Sequence, residues 1–227
     1  MADDAAGQLP LRLSLRDSAT FDNFVDTGNE LAVQALGRGR DDSIYLWGPS
    51  GCGKSHLLQA VCHASADPGA MYLPLARVTV GPELFAGLES CPAVAIDDLD
   101  VIAGEAALET ALFHLYNRIR ESGGRLILAA SRSPVALGMT LPDLVTRLGW
   151  GLVFRLHPLD DDGRRRALQL RAERRGFALP DEVADYLLRR HARDMNSLFA
   201  LLDRLDEASL AAQRRLTIPF VRELLRL

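Results

Sequence analysis

Trp47 to His56 reads WGPSGCGKSH, and its inner eight residues, GPSGCGKS from Gly48 to Ser55, fit the pattern G-x-x-x-x-G-K-[ST]. The apolar run SIYLW (Ser43–Trp47) precedes it and a segment with helical periodicity, Lys54 to Ala64, follows. Strand, glycine-rich turn and helix in that order form the setting of a phosphate-binding loop. Gly48, Gly51 and Gly53 permit a tight turn whose backbone N–H groups converge on phosphate oxygens. The start of the next helix turns its partial positive charge to the same anion. Lys54 is the only lysine in 227 residues. Its compact ammonium suits a loop wrapped round phosphates, where a planar guanidinium fits poorly. Ser55 can place a hydroxyl on Mg²⁺. Pro49, Ser50, Cys52 and His56 complete the expected nucleotide-binding stretch, with Cys52 as a neutral filler.

Outward from the loop, apolar runs alternate with helical patterns. AMYLPL (Ala70–Leu75), AVAID (Ala93–Asp97), RLILAAS (Arg125–Ser131) and LVFRL (Leu152–Leu156) read as buried strands, and Ala106 to Ser122 as a helix. Such alternation predicts an α/β fold with a mostly parallel sheet covered on both faces. After Pro158 the pattern becomes wholly helical: residues 161–175 end at Gly176, LPDEVADYLLRRH and RDMNSLFALLDRLDEASLAAQ follow, and Thr217 caps a short last helix. The expected organisation is a mobile arm over residues 1–19, a nucleotide-binding α/β domain over 20–158 and a small helical lid over 159–227.

Two further features belong with the loop. AVAIDDLD (Ala93–Asp100) is an apolar strand ending in paired carboxylates; Asp97 would enter the Mg²⁺ shell and Asp98 would orient a water. Acidic pairs at strand ends also serve as helix caps. Ser131 ends the strand expected between the other two and would face the outermost phosphate, or simply begin the turn before Pro134.

Composition narrows the setting. An apolar share of 48% with 25% charged residues is ordinary for a globular chain with a full core. The apolar runs fall far short of membrane-spanning length, and MADDAAGQ lacks the apolar stretch of a secretory signal. Cys52, Cys62 and Cys91 are odd in number and lack metal-ligand spacing, so a reduced cytoplasm is the expected compartment. Residues 1–160 carry a net charge of −7 and residues 161–227 a net charge of +3. That asymmetry reads either as a solvated helical surface or as a face for a charged partner, and falls below a dedicated DNA-binding footprint.

The order of these motifs resembles the AAA+ ATPases related to the replication initiator DnaA, and within them the Hda subfamily of DnaA inactivators. TFDNFV (Thr20–Val25), IDDLD (Ile96–Asp100), FHLYN (Phe113–Asn117), LPDLVTRLGWGLVFRL (Leu141–Leu156), LQLRAERRGFALP and LTIPFVRELLRL carry the likeness, which covers nearly all of residues 20–227. The chain ends with the lid, where DnaA continues into a helix-turn-helix domain. The resemblance implies an AAA+ fold, ADP or ATP with Mg²⁺ as cofactors, and adenine held near Phe21, Asn23, Phe24 and Val25, which would otherwise be core anchors.

It also implies partners. Gln8, Leu9, Leu11 and Leu13 match a peptide that docks into the groove of the DNA polymerase sliding clamp; without the resemblance they read as a plain tail. Arg147 matches an arginine finger, which reaches the γ-phosphate held by a neighbouring subunit; the alternative is a surface arginine paired with Asp143. Arg193 matches the lid arginine that contacts the nucleotide of its own subunit, or pairs with nearby acids at a helix start. A finger implies self-association, as a dimer, and DNA is met only through the clamp. The related proteins usually place an aspartate where Ser131 stands, which argues against efficient hydrolysis by this chain itself. The expectation is thus a regulator that stimulates hydrolysis of DnaA-bound ATP and so restrains replication initiation. The rivals are an autonomous ATPase such as a DnaC-like helicase loader, an adaptor without effect on hydrolysis, and a small phosphate-loop kinase.

Overall fold

The computed structural model describes residues 19–39, 43–65, 69–190 and 194–225. Five strands, β1 (Ser43–Trp47), β2 (Met71–Pro74), β3 (Ala93–Asp97), β4 (Arg125–Ala130) and β5 (Leu152–Arg155), form one parallel sheet in the order β2-β3-β4-β1-β5. The runs read as fully apolar occupy its centre: every residue of β3 is buried, and so is β4 after Arg125. The edge strand β5 is different, with Leu152 and Val153 both exposed. Register matters for function. Trp47 lies opposite Ala130 and Ile96 opposite Leu128, so the phosphate loop, the acidic strand end and Ser131 emerge side by side.

Helices α1 (Glu30–Arg38) and α2 (Lys54–Ala64) pack with one another, and their buried Leu36, Leu57, Leu58 and Val61 share a core with Ile44 and Leu46. The 17-residue α3 (Ala106–Ser122) covers the other face, burying Leu112, Leu115, Tyr116 and Ile119 at helical spacing. It stops at Gly123, which takes the left-handed conformation a helix end favours. A short α4 (Pro142–Leu148) starts with Pro142, whose missing N–H costs nothing in a first turn.

The remaining helices, α5 (Asp161–Arg174), α6 (Asp181–Arg190), α7 (Met195–Ala212) and α8 (Ile218–Leu225), share a separate core built on Leu168, Val183, Leu187, Leu198, Leu202 and Val221. Asp160 caps α5 by accepting the Gly163 N–H at 2.7 Å, and Asp194 caps α7 by accepting that of Ser197 at 2.9 Å. Arg171 of α5 and Arg175 just past its end both bind Asp203 of α7, tying the two helices on their polar side. Val25 and Leu159 pack against this core. Among the described residues no helix is long and apolar enough to cross a membrane.

Candidate nucleotide-binding site

The loop between β1 and α2 opens with Gly48 donating its N–H to Ala130 at 3.3 Å. Gly53, at φ 98°, needs its lack of a side chain twice: the backbone is left-handed, and a Cβ there would lie 2.5 Å from the Phe24 ring. Lys54 Nζ donates to the carbonyls of Gly48 at 2.7 Å and Pro49 at 3.0 Å, so the ammonium lies across the loop. Gly48 and Pro49 hold Lys54 from behind, whereas Ser50 to His56 line a cleft of about 610 Å³. Burial raises the Cys52 thiol above its ordinary value despite the nearby Lys54, which keeps it the neutral filler the sequence suggests. His56 stands 2.8 Å from the Thr20 carbonyl oxygen through Nε2, and its ring packs 5.4 Å from that of Phe24. Asn23, Phe24 and Val25 line the same cleft; Phe21 packs instead against the core beneath α2.

The acidic end is layered. Asp97, expected in the Mg²⁺ shell, is buried and does not itself line the cleft. Its carboxylate accepts the Tyr72 hydroxyl at 2.9 Å and the Asp98 N–H at 3.0 Å, and the same Tyr72 hydroxyl interacts with Ser55. Burial, with the charge of Asp97 beside it, raises the Tyr72 phenol and keeps it a donor. Asp98 sits at φ 59°, ψ 46°, a left-handed conformation that aspartate tolerates better than most residues. Burial first, and then Asp97, push its carboxyl upward, while Lys54 pulls it back. Asp98 and Asp100 line the cleft with Lys54, Ser55 and Ser131. Among the described residues no group of three or more His, Cys, Asp or Glu forms a metal cage. Mg²⁺ needs none, since it keeps several waters and takes one or two protein oxygens plus those of a phosphate. Ser55 and Asp98, which line the cleft, offer such a set, with the buried Asp97 accepting the Asp98 N–H, and the glycine loop with Lys54 offers the matching phosphate cradle.

The sequence reading missed Asp100 and Tyr72. Asp100 accepts the backbone N–H of Ser131 at 2.8 Å and also bonds its hydroxyl. A carboxylate therefore stands at the end of β4 although residue 131 is serine. The helical side adds Arg171, Arg174 and Arg175 to the cleft wall. Arg171 and Arg175 are held by Asp203 and Asp206, whereas Arg174 has no ion-pair partner among the described residues. Asp194 reaches within 3.1 Å of where a Gly51 Cβ would sit, so the start of α7 meets the loop. Arg193, expected at the nucleotide, lies outside the described residues, as do Gln8, Leu9, Leu11 and Leu13 of the arm.

Arg147 belongs to a different surface. It sits in the last turn of α4, away from the cleft lining. Its guanidinium lies 3.8 Å from the ring centroid of Trp150 and 5.9 Å from that of Phe113, a cation–π platform. No ion pair joins it to Asp143, which answers the alternative posed by the sequence. The entry to α4 is fixed by Glu109 of α3, which is fully buried. Its carboxylate accepts N–H groups of Gly104, Thr140 and Leu141 and the Thr140 hydroxyl, fixing the chain that enters α4. Burial alone would raise this carboxyl, but those donors outweigh it and hold it below its ordinary value.

Comparison with known proteins matches both parts. Residues 161–225 match the family described as "Hda, lid domain", and residues 86–155 the bacterial DnaA ATPase domain, together more than half of the chain. Domain III of the replication initiation protein DnaA from Thermotoga maritima superposes with a TM-score of 0.79 at 23% identity, over 93% of this chain and 97% of that one. An AMPPCP-bound DnaA from Aquifex aeolicus gives 0.68 at 25% identity, over 84% of this chain and 66% of its own. The Thermotoga maritima Holliday junction branch migration motor RuvB gives 0.65 at 20% identity, over 88% and 66%. The RuvB likeness speaks to the fold, a phosphate-loop sheet with a helical lid, while the two family matches carry the kinship: the chain belongs to the AAA+ proteins related to DnaA and Hda.

Proposed function

We propose that this chain is an adenine-nucleotide-binding regulator that stimulates hydrolysis of ATP held by DnaA and thereby restrains initiation of replication. The observation that carries the reading is the separation of its two functional cations. Lys54 faces the chain's own cleft, and Arg147 stands outside it on an aromatic platform with no acidic partner among the described residues. A guanidinium so held is available to a γ-phosphate in a neighbouring subunit, where it would stabilise developing charge. ADP or ATP with Mg²⁺ would occupy the cleft through Lys54, Ser55 and the acidic strand end, with Arg193 closing from the lid. The AMPPCP-bound DnaA of Aquifex aeolicus supports an adenine nucleotide as the ligand.

Gln8, Leu9, Leu11 and Leu13 would tether the chain to the DNA-loaded sliding clamp, raising its local concentration at newly replicated DNA without direct contact to DNA. Its place would be the cytoplasm, at the nucleoid through the replication machinery, and copies would pair as a dimer through the finger face. The test is an ATPase assay of DnaA with and without this chain and clamp-loaded DNA. Stimulation is expected, and Arg147→Ala should abolish it while nucleotide and clamp binding persist; unchanged stimulation by that variant would sink the finger assignment. Removal of residues 1–15 should abolish retention on immobilised clamp. Efficient turnover by the chain alone, with binding to a helicase, would favour the helicase-loader alternative.

A further inference from the structure

We infer that Asp100 is a water-positioning residue of this cleft, held in place by Ser131, so that the carboxylate at the phosphate end comes from the connection after β3. The inference rests on the adenine-nucleotide part of the proposed function and on neither its clamp nor its DnaA part.

Three observations carry it. The first is placement. Ala130 pairs with Trp47, and the Gly48 N–H bonds the Ala130 carbonyl, so the residue after Ala130 emerges beside the start of the phosphate loop. Asp100, Ser131, Lys54 and Ser55 line the same cleft. The second is rigidity. Asp100 lies in a single 3-10 turn, Leu99–Ile102, that begins at left-handed Asp98. Leu99 and Ile102 are both fully buried, which fixes the turn and leaves Asp100 on its exposed side. The end of β4 is pinned as well, because the buried Tyr45 hydroxyl donates to the Arg132 carbonyl at 2.9 Å.

The third is complementarity. Ser131 gives Asp100 two donors, its N–H at 2.8 Å and its hydroxyl, one to each carboxylate oxygen. Each oxygen keeps a further lone pair for a water. An aspartate at 131 would put a second carboxylate within hydrogen-bond distance of the first, and two such groups cannot both stay ionised. Serine at 131 and aspartate at 100 are therefore one arrangement, with the donor on one side of the strand gap and the carboxylate on the other. On this inference Ser131, which argued against efficient hydrolysis by the chain, is compatible with it. In the reaction, a water oxygen bonds to the terminal phosphorus of ATP. The bond from that phosphorus to the bridging oxygen breaks, its electron pair leaving on ADP, and the proton lost from water passes to solvent. Asp100 acts by orienting the water, and Lys54 and Mg²⁺ would balance the phosphate charge.

The test uses the full chain and three variants, Asp100→Asn, Ser131→Ala and the exchange D100S/S131D. Mant-ADP binding, displacement by ATPγS against ADP, and single-turnover hydrolysis of ATP are measured for each. Asp100→Asn should bind mant-ADP within about threefold of wild type and hydrolyse ATP at least about tenfold more slowly. It should also favour ATPγS over ADP by at least about threefold more than wild type, because one negative charge has left the terminal-phosphate end. Ser131→Ala, which keeps the N–H donor, should fall between, and the exchange should return to within about threefold of wild type. Unchanged rate and unchanged nucleotide ratio in Asp100→Asn overturn the inference, as does an exchange variant as slow as Asp100→Asn. A wild-type chain that binds mant-ADP without turnover overturns it too, and leaves the nucleotide reading standing. A wild-type chain that fails to bind mant-ADP overturns both.

Discussion

Lys54 and Arg147 each sit on a short helix beside a β-strand, and the chain holds them in opposite ways. Lys54 begins α2, and its ammonium is surrounded by oxygen, the carbonyls of Gly48 and Pro49 at 2.7 and 3.0 Å. Arg147 sits in the last turn of α4, and its guanidinium lies over a half-exposed indole, 3.8 Å from the ring centroid. A compact ammonium is stabilised by oxygens it can later exchange for those of a phosphate; a planar guanidinium is stabilised by a flat face that leaves its edge donors free. The starts of the two helices differ in the same sense. The turn before α2 opens onto the cleft, while Glu109 takes up the N–H groups of Thr140 and Leu141 on the way into α4. One helix is built to receive a ligand at its start, the other to be immobile and carry a cation outward at its end.

The largest effect is expected from exchanging the chemistry of the outer cation. Arg147→Ala should lower stimulation of DnaA-bound ATP hydrolysis by about 10³-fold, and Arg147→Lys should recover little of it, because an ammonium neither stacks as well nor spans two phosphate oxygens. Nucleotide binding to the chain's own cleft should stay unchanged in both. Recovery by lysine would break the comparison, since charge alone would then suffice. Lys54→Ala is the converse experiment. Loss of one charged hydrogen-bond partner should weaken mant-ADP binding by about 30- to 100-fold, roughly 2–3 kcal/mol, as read by fluorescence titration. Lys54→Arg should bind almost as poorly, because the loop leaves no flat surface for a guanidinium.

Glu109→Gln tests the immobile side. A glutamine would turn an amide N–H₂ toward groups that themselves donate, at a cost of about 2 kcal/mol in thermal or denaturant unfolding. Its pH dependence has a definite sign. The folded carboxyl lies below its ordinary value of 4.5, so its stabilisation is complete above that pH and is lost as pH falls through the lower, folded value. The gap in melting temperature between wild type and Glu109→Gln should therefore hold from neutral pH down to about 4.5 and close below it. A gap that widened in acid would mean the carboxyl is raised rather than lowered.

These regions were unequally legible in the sequence. The phosphate loop could be read because strand, turn and helix are consecutive, and their spacing alone places Lys54 and Ser55. The parallel sheet and the wholly helical C-terminal part followed from apolar runs and periodicity, and the strand at Arg125–Ala130 does lie between β1 and β3. By contrast, Tyr72 with Asp97, Asp100 with Ser131, and Glu109 with Thr140 join segments 25 to 31 residues apart. Nothing local marks such partners: strand register brings the first two pairs together, and the packing of α3 against the chain entering α4 brings the third. Helices α1 and α4 went undelimited, since nine- and seven-residue helices offer too few periods to stand out. The contact of Arg147 with Trp150 was hidden for a different reason, although the finger reading never depended on Asp143. The rule for oppositely charged residues one turn apart pointed to Asp143, while the helix ends at Leu148 and the chain turns back to bring Trp150 under the guanidinium.

That last contact yields the smallest effect and the sharpest test of what the platform does. A cation–π contact at a half-exposed site contributes about 0.5–1 kcal/mol, so Trp150→Ala should lower stimulation of DnaA only about two- to fivefold, far less than loss of Arg147 itself. If Trp150 acts by holding the guanidinium in place, Trp150→Phe should recover most of the loss, since a phenyl face still accepts a cation. If Trp150 instead binds the partner directly, removal should weaken the apparent affinity for DnaA and leave the maximal rate intact, with phenylalanine recovering little. Arg120 lies 5.0 Å from the same ring centroid and provides an internal comparison. Arg120→Ala should leave stimulation within about twofold, because it removes a neighbour of the platform and leaves the Arg147 stack whole. An equal loss in both arginine variants would mean that the face acts as a charged patch, with no distinct finger upon it.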